Sequence, residues 1–399
     1  MNIVDMIFLF FMGVSLYFIF LFLLIFLENK KKMDTIPKMA DLPFVSIIVP
    51  AYNERKHIGD TIENLKKIDY KKKEIIIVND GSTDKTAEIA KKSGVRVVSV
   101  KKGGKARALN YAIQIARGEI IATVDADSYP EKDILLKSVP FFQNKKVVAV
   151  TTKIYVKNKK SLIAKIQEIE YGMISWGRKV SEYIESIWAT PGPMSLYRKS
   201  VLKEVGGFDE KNATEDIEIA WRLLSKGYKI RMSPGKTYTN VPSTFRKWWH
   251  QRIRWNIGGM QTFNKYKGSA FKRGSSSFKF FIVPFFFFSY ILSIVALGLF
   301  VYLIYNWIFN FFVFNVNMMF LGLNPFKHLY LDPIVNVLTF LGISVFLLSL
   351  ALLKYGSEDI KKTKKDVFPI LLYLTIYLMI FPILLIYSIA KISRGYKEW

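Results

Sequence analysis

Long apolar segments without charged residues limit what this chain can fold into. Residues 7–27 carry no charge, and a run of this length can cross the hydrocarbon core of a bilayer, which is about 30 Å thick. Three later runs are long enough as well: residues 280–305, 334–353 and 367–390. The pattern predicts one N-terminal and about three C-terminal transmembrane helices, with a soluble region between them.

Residues 307–323 form another apolar run that is harder to assign. Three Asn side chains within it would be costly in lipid, so a transmembrane, a re-entrant and an interfacial course all stay open. The loop at residues 354–366 carries five Lys. With three downstream spans this loop is cytoplasmic and the C-terminus lies outside, whereas four spans invert the assignment. The positive charge of this loop favours three downstream spans, because Lys residues mark the cytoplasmic side.

The charges around the first span predict its orientation. Asp5 precedes it without any Lys, and Lys30, Lys31 and Lys32 follow it. A secretory signal peptide has the opposite polarity and a cleavage site of small residues, whereas Lys and Arg mark the cytoplasmic side of a span. We therefore expect a multi-pass protein of the plasma membrane with its main domain in the cytoplasm.

Composition argues against several functional classes. The formal net charge is +26, but no basic helix has a groove-reading pattern, so we expect no nucleic-acid binding. The basic residues suit anionic lipid and a nucleotide-diphosphate ligand instead. The chain has no cysteine, which excludes disulfides and thiolate catalysis. With three His residues, a His-rich metal site is not expected.

The region after the first span alternates short apolar runs with amphipathic stretches. The runs are rich in Val and Ile, as are strands buried on both faces of a parallel sheet, and the stretches have helical periodicity. The predicted strands are residues 44–50, 74–79, 95–100, 119–124 and 147–155, and the predicted helices are 56–67, 84–92, 105–116 and 132–142. The sequence therefore predicts an α/β open, mostly parallel sheet, which binds ligands beyond the carboxyl ends of its strands.

Polar clusters follow three of these strands. Tyr52 and Glu54 come after the first, Asn-Asp-Gly-Ser at residues 79–82 after the second, and Asp-Ala-Asp at residues 125–127 after the fourth. Each has an ordinary structural explanation, since Asp-Gly-Ser makes turns and Asp can cap a helix. Three clusters in register favour a ligand site. The paired carboxylates suit Mg²⁺ or Mn²⁺, because Mg²⁺ typically uses one or two carboxylates plus substrate phosphates.

Two glycines precede the helix predicted to begin at Lys105. They permit close backbone approach, and a helix N-terminus suits anions, although the spacing is not that of a Walker motif. Lys105 is thus a candidate contact for a diphosphate. A solvated lysine at a helix start is the alternative.

Two further motifs stand later in the chain. Thr-Glu-Asp at residues 214–216 opens an amphipathic helix, and an N-cap Thr with acids in the first turn explains it structurally. Gln-x-x-Arg-Trp at residues 251–255 lies in an aromatic, basic stretch that suits a membrane surface. Location at a membrane surface does not explain why Gln251, Arg254 and Trp255 occur together. Residues 161–183 indicate another helix near the membrane surface.

In this order, and joined to apolar spans, the motifs resemble those of the processive branch of the family 2 glycosyltransferases: cellulose, hyaluronan and poly-N-acetylglucosamine synthases. The resemblance covers residues 43–255. It implies a GT-A fold and a metal-dependent, inverting hexosyltransferase using Mg²⁺ or Mn²⁺. The donor would be a UDP-sugar carrying N-acetylglucosamine or glucose, and the product a growing β-linked polysaccharide, with or without coupled membrane translocation.

The resemblance also implies roles for individual residues. Asp216, with Glu215 beside it, would act as the catalytic base. Asp127 would be the metal ligand, and Trp255 would pack against the acceptor sugar. The residues implied for donor binding are Tyr52, Glu54, Asp80, Lys105, Asp125, Gln251 and Arg254.

One alternative keeps the chemistry and changes the acceptor to a membrane lipid, as in ceramide glucosyltransferases or polyprenyl-phosphate sugar synthases. A non-enzymatic transporter or scaffold would leave the acidic motifs unexplained. An accessory subunit is a further option. The expected organisation is an N-terminal anchor and linker (1–42), a cytoplasmic GT-A domain (43–240), an interfacial region with the Gln-x-x-Arg-Trp motif (241–278) and a C-terminal transmembrane region (279–399).

Overall fold

The computed structural model of the chain describes residues 3–39, 41–271, 277–322, 337–356 and 367–395. Its strands are β1 (Val45–Ala51), β2 (Lys73–Asp80), β3 (Arg96–Val100), β4 (Ile120–Thr123), β5 (Ser128–Pro130), β6 (Val147–Val156), β7 (Ser195–Arg198) and β8 (Lys229–Thr239). Its first nine α-helices are α1 (Ile3–Asn29), α2 (Ile58–Lys66), α3 (Thr86–Lys92), α4 (Lys105–Ile115), α5 (Ile134–Ser138), α6 (Leu162–Ser181), α7 (Lys199–Glu204), α8 (Glu215–Ser225) and α9 (Phe245–Tyr266). The later ones are α10 (Val283–Phe320), α11 (Val337–Gly356), α12 (Val367–Leu372) and α13 (Leu378–Ser393), and a π-helical turn, Tyr373–Tyr377, joins α12 to α13.

The strands form one sheet in the order β3-β2-β1-β4-β7-β6-β8-β5. The half built from β3, β2, β1 and β4 is parallel throughout. In the other half β7 is antiparallel to both neighbours, β6 and β8 are parallel, and β5 is antiparallel to β8. The predicted α/β sheet is confirmed, and all five predicted strands are present. The predicted boundaries near residues 43 and 240 enclose the whole sheet.

Both faces of the parallel half are buried, as the Val- and Ile-rich runs predict. Ile47 and Val49 of β1 face a core that contains Ile62 of α2. Ile48, between them, faces a second core that contains Leu109 of α4. The alternation follows from the two-residue period of a strand. It fixes which side chains of each strand face which core, while the parallel pairing sets the edge at which each strand ends.

The carboxyl ends of the first strands meet at one edge, as expected. Ala51 at the end of β1 pairs with Asn79 of β2, and Ile48 pairs with Thr123 of β4. The polar clusters that follow these strands therefore share one side of the sheet.

Three described helices are long and apolar enough to cross a membrane: Ile3–Lys32, Phe278–Phe320 and Phe368–Ser393. The predicted spans at residues 7–27, 280–305 and 367–390 correspond to them. A shorter apolar helix, Phe340–Gly356, corresponds to the prediction at residues 334–353, of which 334–336 lie outside the described residues. Most of the predicted loop at 354–366 lies outside them too.

Residues 307–320 continue α10 without a break, so neither a re-entrant nor a separate interfacial course is found there. The side-chain amide of Asn315 donates to the carbonyl oxygen of Phe311 at 2.6 Å, which satisfies it within the helix. At 1.5 Å per residue, α10 is about 57 Å long, more than a hydrocarbon core of about 30 Å. The helix therefore reaches beyond that core at ordinary tilts.

Two amphipathic helices connect the sheet domain to the apolar helices. α6, capped by Ser161 at its N-terminus, packs on β6 on one side and on α1, α11 and α12 on the other. α9 packs on α8 and on α13. Both positions agree with the predicted helices near the membrane surface.

Gly258 is the point at which α9 comes closest to the start of α8, and it generates a stability prediction. A Cβ at this position would overlap the side chain of Thr214. We expect Gly258→Ala to lower the free energy of unfolding by about 1–3 kcal/mol, because overpacking forces the helices apart. The measurement is the midpoint of thermal unfolding in detergent.

Gly259→Ala is the matched control. It gains the same helix propensity, but its Cβ meets only the Tyr290 hydroxyl, at 3.1 Å. Equal midpoints for the two variants would contradict the proposed close packing at Gly258.

Candidate active site

A cavity of about 240 Å³ opens at the carboxyl edge of the sheet, between the start of α8 and the helices α6 and α9. Every predicted site residue except Tyr52, Glu54 and Asp80 lines it. The charged side chains in its wall are Lys105, Asp125, Asp127, Arg178, Glu215, Asp216 and Arg254.

Lys105 joins two of the acidic motifs. Its Nζ lies 2.6 Å from Asp125 Oδ1 and 2.9 Å from Glu215 Oε1. Burial alone would lower the pKa of the Lys105 ammonium, but these two carboxylates raise it above its usual value. Burial opposes ionisation of Glu215, yet the Lys105 charge keeps the pKa of that carboxyl low. Gly192 covers the ion pair, since a Cβ there would overlap the ammonium group.

Asp80 holds the glycine loop that precedes Lys105. Its Oδ1 accepts from the Gly103 N–H at 2.9 Å and its Oδ2 from the Gly104 N–H at 2.8 Å. Gly104 has a φ of 90°, which favours glycine. Asp80 is only 4% exposed, so in this arrangement it positions the loop rather than facing the cavity.

Tyr52 lies beside the same loop. The Lys102 ammonium sits 4.4 Å from the centroid of the Tyr52 ring and donates to its hydroxyl at 3.1 Å. The predicted donor-binding residues thus fall into two groups, one in the cavity and one along the loop outside it.

Three carboxylates crowd together where β1 and β4 end. Burial raises the pKa of Glu54 to about 7, and the negative charges of Asp127 and Asp125 add to the effect. Burial, with Asp125, likewise raises the pKa of Asp127 to about 6. This mutual repulsion would be relieved by a cation.

Within the described ranges, no group of three or more Asp, Glu or His side chains is placed to hold a metal ion by itself. Asp125 and Asp127 carry oxygen atoms of the kind that Mg²⁺ uses together with phosphate ligands. Glu54 acts on these two carboxylates through its charge, although the resemblance implied only donor recognition for it.

Asp216 stands in the first turn of α8, with its backbone carbonyl accepting from the N–H and the hydroxyl of Thr190 at 3.2 and 3.0 Å. Burial raises the pKa of its carboxyl to about 6, and Glu215 adds to the shift while Lys105 and Arg254 oppose it. The group is therefore ionised at neutral pH, and it is partly exposed in the wall of the cavity. These are the properties of a general base.

The Gln-x-x-Arg-Trp residues form the wall contributed by α9. The Arg254 Nη1 donates to the carbonyl oxygen of Ala213 at 3.1 Å, which ties α9 to the loop before α8. Gln251 Oε1 accepts from Arg252 Nη1 at 2.7 Å, and the Arg252 guanidinium lies 4.0 Å from the centroid of Trp255. Arg252, which the sequence did not single out, thus orients two motif residues.

Arg252 itself belongs to a buried network that reaches into the membrane helices. Its guanidinium forms a two-pronged ion pair with Glu170 of α6. The Tyr377 hydroxyl donates to the same carboxylate at 2.6 Å and accepts from the Trp248 indole N–H at 2.6 Å. An acid among the apolar side chains of Ile166, Ile169 and Met173 was the available signal, but its partner is 82 residues away.

Arg252→Met tests this network. It leaves the Glu170 carboxylate buried without a cation, so we expect the free energy of unfolding to fall by about 3–5 kcal/mol. Adding Glu170→Leu should restore part of the loss, because two apolar side chains can replace a buried pair at low cost. Thermal unfolding in detergent measures both effects.

Arg246→Met, on the exposed side of the same helix, is the control and should be nearly neutral. A double variant that is no more stable than Arg252→Met would contradict a direct Glu170–Arg252 interaction.

Comparisons with known proteins agree with this geometry. Residues 46–206 match the model of Glycosyl transferase family 2. The chain is 35% identical over 253 residues to the poly-beta-1,6-N-acetyl-D-glucosamine synthase of Staphylococcus aureus (strain COL), with 61% of each protein covered. It is 37% identical over 223 residues to the synthase of the same name from Staphylococcus epidermidis, with 54% of each covered. The chain thus spans about three-fifths or less of these curated relatives.

A mannosyltransferase from Pyrobaculum calidifontis, solved in complex with GDP-Man and Mn²⁺, has a similar structure. The similarity covers 98% of both chains with a TM-score of 0.60 and 19% identity, which concerns the fold and confirms the GT-A prediction. The motifs, their arrangement at the sheet edge and the family match agree with one another: residues 46–206 of this chain form a region that matches glycosyl transferase family 2.

Proposed function

We propose that this chain is a membrane-embedded, inverting hexosyltransferase that moves N-acetylglucosamine from UDP-N-acetylglucosamine to a growing β-linked polysaccharide. The observation that carries the proposal is the cavity whose wall holds the ionised Asp216 together with the side chains of the Gln-x-x-Arg-Trp motif. The similarity to two poly-N-acetylglucosamine synthases supports the choice of sugar and product.

Asp216 is the base of the proposed reaction. Its carboxylate accepts the proton of an acceptor hydroxyl as that oxygen attacks the anomeric carbon of the donor sugar. The bond from the anomeric carbon to the diphosphate oxygen breaks, and its electron pair leaves with UDP. Attack opposite the leaving group inverts the anomeric configuration. Glu215 does not compete for the proton, because it is paired with Lys105 at 2.9 Å.

The donor is held by the two groups of residues described above. Lys105, Gln251 and Arg254 bind the sugar diphosphate from within the cavity, and Asp125 binds the ribose or sugar. Tyr52, Glu54 and Asp80 form the nucleoside side of the site, with Asp80 acting through the glycine loop that it holds. A divalent cation, Mg²⁺ or Mn²⁺, held by Asp127 with Asp125 beside it, supplies neutralisation of the diphosphate charge when bound.

The charge of the cavity favours a neutral acceptor. Four acidic and three basic side chains line it, so a phosphate acceptor would bring further negative charge beside Asp216. A sugar hydroxyl is uncharged and adds no negative charge there. Trp255 and Tyr171, whose rings lie 6.3 Å apart, offer flat faces on which the apolar side of a sugar ring can pack. This argues for a polysaccharide rather than a polyprenyl phosphate.

The apolar helices make the chain a membrane protein, and we propose that its catalytic domain faces the cytoplasm at the plasma membrane. The support is the basic run that follows the first span, Lys30–Lys32, since cations mark the cytoplasmic side. UDP-sugars would then reach the cavity directly. An accessory subunit is compatible with this arrangement.

A donor screen on the purified full chain in detergent tests the function. UDP-N-acetylglucosamine, UDP-glucose and GDP-mannose are each supplied with Mg²⁺, with Mn²⁺ or with a chelator, and products are separated by size. We expect a ladder from UDP-N-acetylglucosamine that the chelator abolishes. A single labelled lipid would move the protein to the lipid-acceptor alternative, and no transfer from any donor would overturn the proposal.

Asp216→Asn tests the base. We expect it to lower kcat by about 10²–10⁴-fold, the usual contribution of general base catalysis, while UDP binding stays intact because the phosphate contacts remain. Isothermal titration with UDP and initial rates of UDP release measure the two quantities. Asp209→Asn is the control, since Asp209 pairs with Lys265 at 2.6 Å outside the cavity.

The pH dependence of kcat is a second test of Asp216 as the base. The base acts only when ionised, so the rate of the unmodified protein should rise with pH through about 6, the pKa of Asp216, and level off above it. A rate that is flat from pH 5 to 7 would contradict the assignment of Asp216.

A further inference from the structure

Arg178 is a buried cation whose charge is not matched by an ion pair. It lies on α6, lines the cavity and is only 1% exposed. Its Nη1 donates to Thr151 Oγ1 at 3.2 Å and its Nη2 to Ser175 Oγ at 3.4 Å, and its Nε has no partner. Across the described part of the chain, no carboxylate lies within ion-pair distance of it.

Among the described residues, the other arginine with almost no exposure is Arg252, and it is paired with Glu170. The half-buried Arg222 is paired with Glu218, whereas Arg198, which is also half-buried, has no ion pair among those residues. Taking a guanidinium out of water costs several kcal/mol unless a charge or a full set of hydrogen bonds compensates it. Two long bonds to neutral hydroxyls supply little of that compensation. Structural support alone therefore does not account for a charged residue at position 178.

The position of Arg178 within the cavity indicates which substrate it meets. Tyr171 and Arg178 are two turns apart on α6, so they share the face that lines the cavity. Burial lowers the pKa of the Arg178 guanidinium to about 10, and the acid that chiefly opposes this shift is Asp216. Tyr171, on this face, has its ring 6.3 Å from that of Trp255, the residue proposed to pack against the acceptor sugar. Arg178 therefore lies on the face of α6 that meets the proposed acceptor residues.

We propose that Arg178 binds the acceptor: its guanidinium donates to an oxygen atom of the terminal sugar, a hydroxyl or an amide carbonyl, and so holds the attacking hydroxyl towards Asp216. This rests on the proposed function, for which it names a binding residue outside all the motifs. The ligand class is a neutral saccharide, in agreement with the charge balance of the cavity. The incomplete set of partners around the guanidinium, at the wall of the cavity, is the observation that favours a ligand contact there.

Arg178→Met tests the assignment in the full chain in detergent. Initial rates are measured against short β-1,6-linked N-acetylglucosamine oligosaccharides at saturating UDP-N-acetylglucosamine, and then against the donor at fixed acceptor. We expect the acceptor KM to rise by about tenfold or more, as for loss of a hydrogen bond to a charged group, with the donor KM within about twofold of the original.

Arg198→Met is the matched control. Arg198 is also an arginine without an ion pair, its Nη2 donates to the Phe142 carbonyl at 2.7 Å and its Nε has no partner, but it does not line the cavity. It should alter stability without altering either KM. Equal rises of the acceptor KM in both variants would assign Arg178 a structural role and overturn the inference.

Arg178→Lys is the second variant, to be used if Arg178→Met does not fold, because lysine keeps a buried cation. Lysine lacks the planar fork of donors, so the acceptor KM should still rise, by less than in a folded Arg178→Met. An unchanged acceptor KM in Arg178→Lys, or a donor KM that rises in parallel, would overturn the inference. Absence of transfer by the unmodified protein would instead remove the proposed function itself.

Discussion

The ion pairs of Lys105 hold the site together. Its ammonium is in contact with Asp125, which follows β4, and with Glu215, which begins α8. Because α4, β4 and α8 are far apart in the chain, this one cation brings three motifs to a common point. It also fixes Glu215 as a partner and leaves its neighbour Asp216 free to accept a proton. The glycine loop held by Asp80 sets where the ammonium can reach.

Two amphipathic helices give the cavity its other wall, and both also contact the membrane helices. α6 contributes Arg178 and Tyr171 to the cavity and Glu170 to the network with Arg252 and Tyr377. Sheet and membrane segments are thus not independent units joined by a tether. The orientation of the Gln-x-x-Arg-Trp residues depends on a tyrosine in an apolar helix, through a buried carboxylate.

Much of the fold was predictable, because continuous Val and Ile runs can be buried on both faces only in a covered parallel sheet. β5, β7 and β8 were not predicted: β5 and β7 are short. β8 contains Pro234 and Gly235, which coincide with an irregularity in its pairing with β6. The cavity residues came from motifs next to strand ends. Arg178, Arg252 and Glu170 could not be identified from the sequence, because their importance lies in burial and in partners distant in sequence.

The π-helical turn at Tyr373–Tyr377 determines which way the two ends of this helix face. A π turn accommodates one extra residue within an α-helix. If the same residues formed an uninterrupted α-helix, everything on one side of the turn would be rotated by about 100° relative to the other. The Tyr377 hydroxyl would then point away from Glu170, and the apolar surface of the helix would turn with it. The π turn therefore keeps this apolar helix in register with the sheet domain.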